Sequence, residues 1–121
     1  PGAVLARVEA MAYCLTDELG RLLEVNEAFV EMTGYARHEL LGQHFTIMVA
    51  EDQRQHASVL HNGFIVGVLE APSLWRARRK DGTELRIRTE AIRCVQADGS
   101  IRKLTLVERR DRPRRPNPLP F

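Results

Sequence analysis

Two cysteines, four histidines and a cluster of arginines are the side chains of this 121-residue chain with chemistry beyond packing. Cys14 and Cys94 stand far apart and belong to no CxxC unit. His38, His44, His56 and His61 form no HExxH or HxH pattern, so the set does not assemble a zinc site. Both cysteines read as small, inert hydrophobes. His38 and His44 flank a helix end and carry no chemical argument. His56 is different. It precedes Leu60 and Phe64 at i, i+4 and i+8, so a helix beginning at Asp52 would project it from its apolar face, with His61 to one side. Such an imidazole is either a ligand or a partly buried group hydrogen-bonded locally. Arg76, Arg78 and Arg79 crowd one strand and read as solvated charge or as an anion site. The chain shows no P-loop, no nucleophile elbow and no paired inward carboxylates, which points away from an enzyme.

Charge excludes a further class. The chain carries 18 basic and 16 acidic residues, a net charge of +2. Residues 109–121 hold five Arg and one Asp, or +4, which leaves 13 basic and 15 acidic groups, or −2, for the rest. The basic excess thus belongs to a Pro-rich tail without interleaved aromatics, above an acidic domain, and a nucleic-acid partner is not expected. No apolar run approaches the ~20 residues that span a bilayer. With two cysteines and no secretion signal, the expected setting is the reduced cytoplasm, without a membrane partner.

The elements that must position these residues are short. Residues 11–16 and 21–25 read as strands joined at Asp17 to Gly20. Asn26 is an N-cap for a helix over 27–33, with Val25 and Val30 placed as a hydrophobic staple and Gly34 at the C-terminal turn. A second helix over 36–41 ends at Gly42, and the His56 helix runs from Asp52 to about Asn62. From residue 74 the period becomes two. Strands over 74–80 and 83–96 meet at Asp81-Gly82, and Asp98-Gly99 turns into a strand over 101–108. Leu85, Ile87, Thr89 and Ala91 share the inward face, and Leu104 and Leu106 are expected to join them. Strands grouped around helices argue an α+β fold with an antiparallel sheet. Residues 112–121 read as an extended tail or linker.

In order along the chain, Asp17…Gly20, Asn26-Glu27-Ala28-Phe29, Thr33-Gly34-Tyr35, Glu39-Leu40-Leu41-Gly42, the Arg78–Gly82 hairpin and Asp98-Gly99 resemble a PAS domain of the S-box type. The resemblance runs from about Leu5 to Asp111, and the domain itself is placed at 11–111, after a helical lead-in over 1–10. It implies a five-stranded antiparallel sheet of order 2-1-5-4-3 with short helices across one face. It also implies a sensory role, a ligand or cofactor pocket between the central helix and the sheet, and a fused or separate effector such as a histidine kinase of a two-component system or a cyclase. Asp52-x-x-x-His56 is locally similar to haem-binding members, in which an inward imidazole would ligate the iron. The family's light-sensing branch places a cysteine on a central helix; here both cysteines fall in strands, which argues against a flavin photoadduct.

The residues expected around the pocket are Phe29, Met32, Tyr35, Met48, Leu60, Phe64, Ile87 and Leu104, with His56 at its edge and Trp75 on either the pocket or the outer sheet face. Met32 and Met48 serve equally as core fillers. A ligand-free module that dimerises through the outer sheet face and the lead-in is the alternative to a ligand-binding sensor. Val4, Leu5 and Val8 form the lead-in's apolar stripe, and a homodimer is expected.

Overall fold

A computed structural model describes residues 11–110. The helical lead-in expected over 1–10 and the tail over 112–121 lie outside the described residues.

The first hairpin joins β1 (Ala12–Thr16) to β2 (Leu22–Val25). Asp17 builds its turn: Oδ1 accepts from the backbone N–H groups of Leu19 at 3.0 Å and Arg21 at 2.9 Å, and Oδ2 accepts from Arg21 Nε at 2.9 Å. Gly20 follows at φ 85°, where a Cβ would stand 2.6 Å from His44 Nε2. Both the backbone and the close approach require glycine there.

Asn26 organises the next junction. Its Oδ1 caps α1 (Glu27–Thr33) by accepting from Phe29 N at 3.0 Å, and also accepts from Tyr13 N at 3.0 Å. Its Nδ2 donates to Met11 O at 2.7 Å. One side chain therefore fixes the helix start and ties it to β1. This seats Phe29 in the core at 0% exposure. A short α2 (Arg37–Leu40) and two 3₁₀ turns (Phe45–Met48 and Glu51–Gln53) lead into α3 (Arg54–Ile65).

Three longer strands complete the sheet: β3 (Ser73–Arg78), β4 (Glu84–Val95) and β5 (Ile101–Arg109). The five strands are antiparallel in the order β2-β1-β5-β4-β3, as expected from the sequence. Leu85, Ile87 and Thr89 are buried on the inner face, and Ala91 is half-buried.

In β5 the inner and outer faces are the reverse of the expected ones. Its partners are Val95↔Ile101, Arg93↔Lys103, Ala91↔Thr105 and Thr89↔Val107. Directly paired residues share a face, and a slip of one residue would invert the whole strand. The register set by the Asp98-Gly99 turn therefore sends Ile101, Lys103, Thr105 and Val107 to the inner side. Leu104 and Leu106 face outward, where they pair with Leu15 and Tyr13 of β1 and with Ile92 and Glu90 of β4.

Candidate functional site

Between α3 and the inner face of the sheet lies a cavity of about 60 Å³. The floor is Cys14 and Thr16 of β1, Lys103 and Thr105 of β5, Ile87 and Thr89 of β4, and Trp75 of β3. Ala57 and His61 of α3 line it from the helix, Phe45 and Val49 flank it, and Glu70 enters from the segment after α3.

The phase of α3 decides which histidine is inside. Its buried residues are Ala57, His61 and Phe64, spaced i, i+4 and i+7. His61 is 1% exposed, whereas His56 is exposed and only its ring lies beside Trp75, with centroids 5.5 Å apart. The expected inward placement of His56 is thus corrected to His61. The two phases share Phe64 and differ in whether alanine or histidine takes the first inward position. Small Ala57 fits under the sheet, and Leu60 stays half-buried at the side.

His61 Nε2 donates to the carbonyl of Glu18 at 3.2 Å, which makes the neutral ring's Nδ1 an acceptor. That atom is buried and has no hydrogen-bond partner among the described residues. Burial holds the imidazole below its ordinary titration range, and the nearby Lys103 ammonium adds to the effect, against the backbone carbonyl groups of Glu18 and Asp17. His44, Phe45 and His61 form a row of rings with centroid spacings of 4.7 and 5.3 Å. Burial also lowers His44, opposed by the Asp17 carboxylate.

The opposite wall is charged. Lys103 Nζ donates to Glu70 Oε1 at 2.8 Å, and each side chain is only 8% exposed. The ammonium also sits 4.9 Å from the centre of the Phe64 ring. Cys14 has its thiol pushed up to about 12 by burial, so it is a neutral wall group rather than a nucleophile.

Of the residues expected around the pocket, Trp75 and Ile87 line the cavity. Trp75 thus takes the inner of its two possible faces. Phe29, Met48 and Phe64 are buried, and Met32 and Tyr35 pack half-buried against the core. Leu104 is on the outer face because β5 runs in the other register. Of the strand arginines, Arg76 pairs with Asp52 and with Glu84. A haem ligated by His56 does not fit this arrangement. The imidazole is outside, and the cavity is well short of the ~300–1,000 Å³ of pockets that take larger ligands. Among the described residues no group of three or more His, Cys, Asp or Glu is placed to hold a metal ion, and no helix is long and apolar enough to cross a membrane.

The model of the PAS domain family matches residues 10–110, nearly all of the described chain. The chain belongs to the PAS domain family. Solved PAS domains share its fold at low identity. One from Colwellia psychrerythraea has a TM-score of 0.76 at 14% identity, covering 91% of this chain and 96% of that one. A PAS domain from a two-component sensor histidine kinase scores 0.69 at 16% identity, covering 90% and 93%. The PAS-B domain of Drosophila melanogaster Cycle with bound ethylene glycol scores 0.71 at 16% identity, covering 82% and 99%. No curated protein matches the chain. As a PAS domain, it is a sensory signalling module by family.

Proposed function

We propose that this PAS domain binds a small molecule in the cavity between α3 and the sheet and relays its presence through β5 to a partner or fused effector, such as a histidine kinase or cyclase. The observation that carries this reading is the alternation along β5. Lys103 and Thr105 line the cavity, while Leu104 and Leu106 lie on the outer sheet face with Leu15, Tyr13 and Ile92. A change in the cavity that tilts or shifts β5 therefore moves an apolar surface on the other side. That surface is also where a second copy of the chain would dock, so dimerisation is part of the same device and is the alternative function if the cavity stays empty.

The size of the cavity bounds the ligand. A cavity of about 60 Å³ limits the ligand to a molecule of a few non-hydrogen atoms. The neighbouring Cycle domain holds ethylene glycol, and a molecule of that size is the scale proposed here. The test is a thermal-shift and amide-NMR titration of the wild type and of Ala57→Val, whose added carbons would occupy the cavity, with ethylene glycol and with short organic acids. Saturable shifts at cavity residues in the wild type, lost in Ala57→Val, support the reading. No saturable shift with any of these molecules overturns it.

A further inference from the structure

We propose that Glu70 is the built-in occupant of a carboxylate site on Lys103, and that the cavity's ligand is a short hydroxy acid that displaces it. The inference rests on the ligand-binding reading above and narrows it to a chemical class.

Lys103 is fixed in the middle of the sheet, paired to Thr16 on β1 and Arg93 on β4, and its ammonium points into the cavity wall. A buried ammonium requires an anion. Glu70 supplies one at 2.8 Å. Glu70, however, belongs to no helix or strand. It sits in the connection from α3 to β3, where Val66, Val68 and Leu69 are 78%, 63% and 93% exposed. Backbone bonds tie Gly67 to Phe64 and Val68 to Gly63, which hold the start of that connection to α3 just before Glu70. The carboxylate is therefore buried on a carrier that is itself at the surface. An incoming carboxylate can take its place without leaving Lys103 unpaired at any stage, while Glu70 moves into water. The exchange keeps the buried ammonium compensated, and that is the condition a charged ligand must meet in such a site.

The second observation supplies the hydroxyl. His61 Nδ1 is a buried acceptor with no partner among the described residues, on a ring whose Nε2 is already committed to Glu18. It calls for an O–H donor. An ammonium that takes a carboxylate and an imidazole nitrogen that takes a hydroxyl proton, both on one small cavity, are complementary to a hydroxy acid. The volume admits the short carbon frame, and the space vacated by the Glu70 carboxylate receives the acid group.

Glycolate and ethylene glycol separate the two ideas, because they differ by one carboxylate on the same two-carbon frame. NMR and calorimetric titrations of the full chain should show glycolate binding more tightly than ethylene glycol, with shifts at His61 and Lys103. Glu70→Gln removes the competing anion and should tighten glycolate by about tenfold or more, as expected when the competent state was the minor one. Lys103→Met should abolish the preference for glycolate. Amide exchange in the wild type is a readout that needs no variant: glycolate should speed exchange at residues 69–71, and ethylene glycol should not. If ethylene glycol binds and glycolate binds no better in either the wild type or Glu70→Gln, the carboxylate site is refuted while the pocket reading stands. Unchanged exchange at 69–71 on glycolate saturation refutes displacement of Glu70. If neither compound binds, both readings fall.

Discussion

The Lys103–Glu70 pair predicts an asymmetry between its two single deletions. The partners are equally buried, at 8% exposure each, and joined at 2.8 Å. Removing one partner of a buried pair ordinarily costs ~3–5 kcal/mol, because the other is left uncompensated. For Glu70→Ala that cost applies, since Lys103 is held in β5 between two strands. The Phe64 ring 4.9 Å from the ammonium retains about 1–2 kcal/mol of it. The expected loss is therefore about 1–4 kcal/mol. For Lys103→Met the stranded group is Glu70, which its connection can carry to water, and the methionine stem fills the space of the lysine stem. The expected loss is only about 0–1 kcal/mol, the value of an ion pair that is free to part. Urea unfolding followed by circular dichroism gives both numbers as shifts in midpoint at a common m-value. Equal losses for the two variants, or a larger loss for Lys103→Met, would show that Glu70 is locked in place and would refute the reasoning about its carrier.

Other consequences follow from the same geometry. Asn26→Ala removes the cap of α1, the acceptor of Tyr13 N and the donor to Met11 O together, and should cost about 2–4 kcal/mol; Asn26→Asp keeps both acceptances but sets a carboxylate oxygen against the Met11 carbonyl, and should recover only part of it in the same unfolding assay. His61 and His44 are both held below their ordinary value of 6.5. The unfolded chain therefore binds more protons than the native one below that value, and stability should fall as pH drops from about 6.5 toward the folded-state values. His61→Gln, which keeps a donor for the Glu18 carbonyl, should flatten that slope in thermal melts, and an unchanged slope would remove His61 from the account. On the outer face, Leu104→Glu with Leu106→Glu should convert a dimer to a monomer by light scattering with little loss of melting temperature; a monomeric wild type would rule out dimerisation through this face.

The architecture was legible where backbone chemistry is local. Asn26, Gly34 and the Asp-Gly turns mark their elements by φ preference and capping, and the strand order followed once those pieces were set beside a known family. The cavity was less legible, for two reasons. Helix phase rests on the apolar positions, and His56-Leu60-Phe64 is a better apolar stripe on paper than Ala57-His61-Phe64, whose first member is small and whose second is polar. In β5, hydrophobicity favoured Leu104 and Leu106 as inward residues. The pairing set by the turn at residues 96–100 put a lysine there instead, and only the carboxylate of Glu70, distant in sequence, makes that tolerable. Glu70 itself had no local signal. The hint available was the lysine count: the chain has only two, and Lys103 stands at the inward parity of a strand that pairs with β4.

The central claim is that the cavity and the outer sheet face are coupled through β5. Methyl NMR of the wild type during a glycolate titration measures this directly. The account predicts saturable shifts at Ile87 inside the cavity and, with the same dissociation constant, at Leu104 and Leu106 on the outer face, all lost in Ala57→Val. Shifts confined to Ile87, with Leu104 and Leu106 unmoved at saturation, would contradict it.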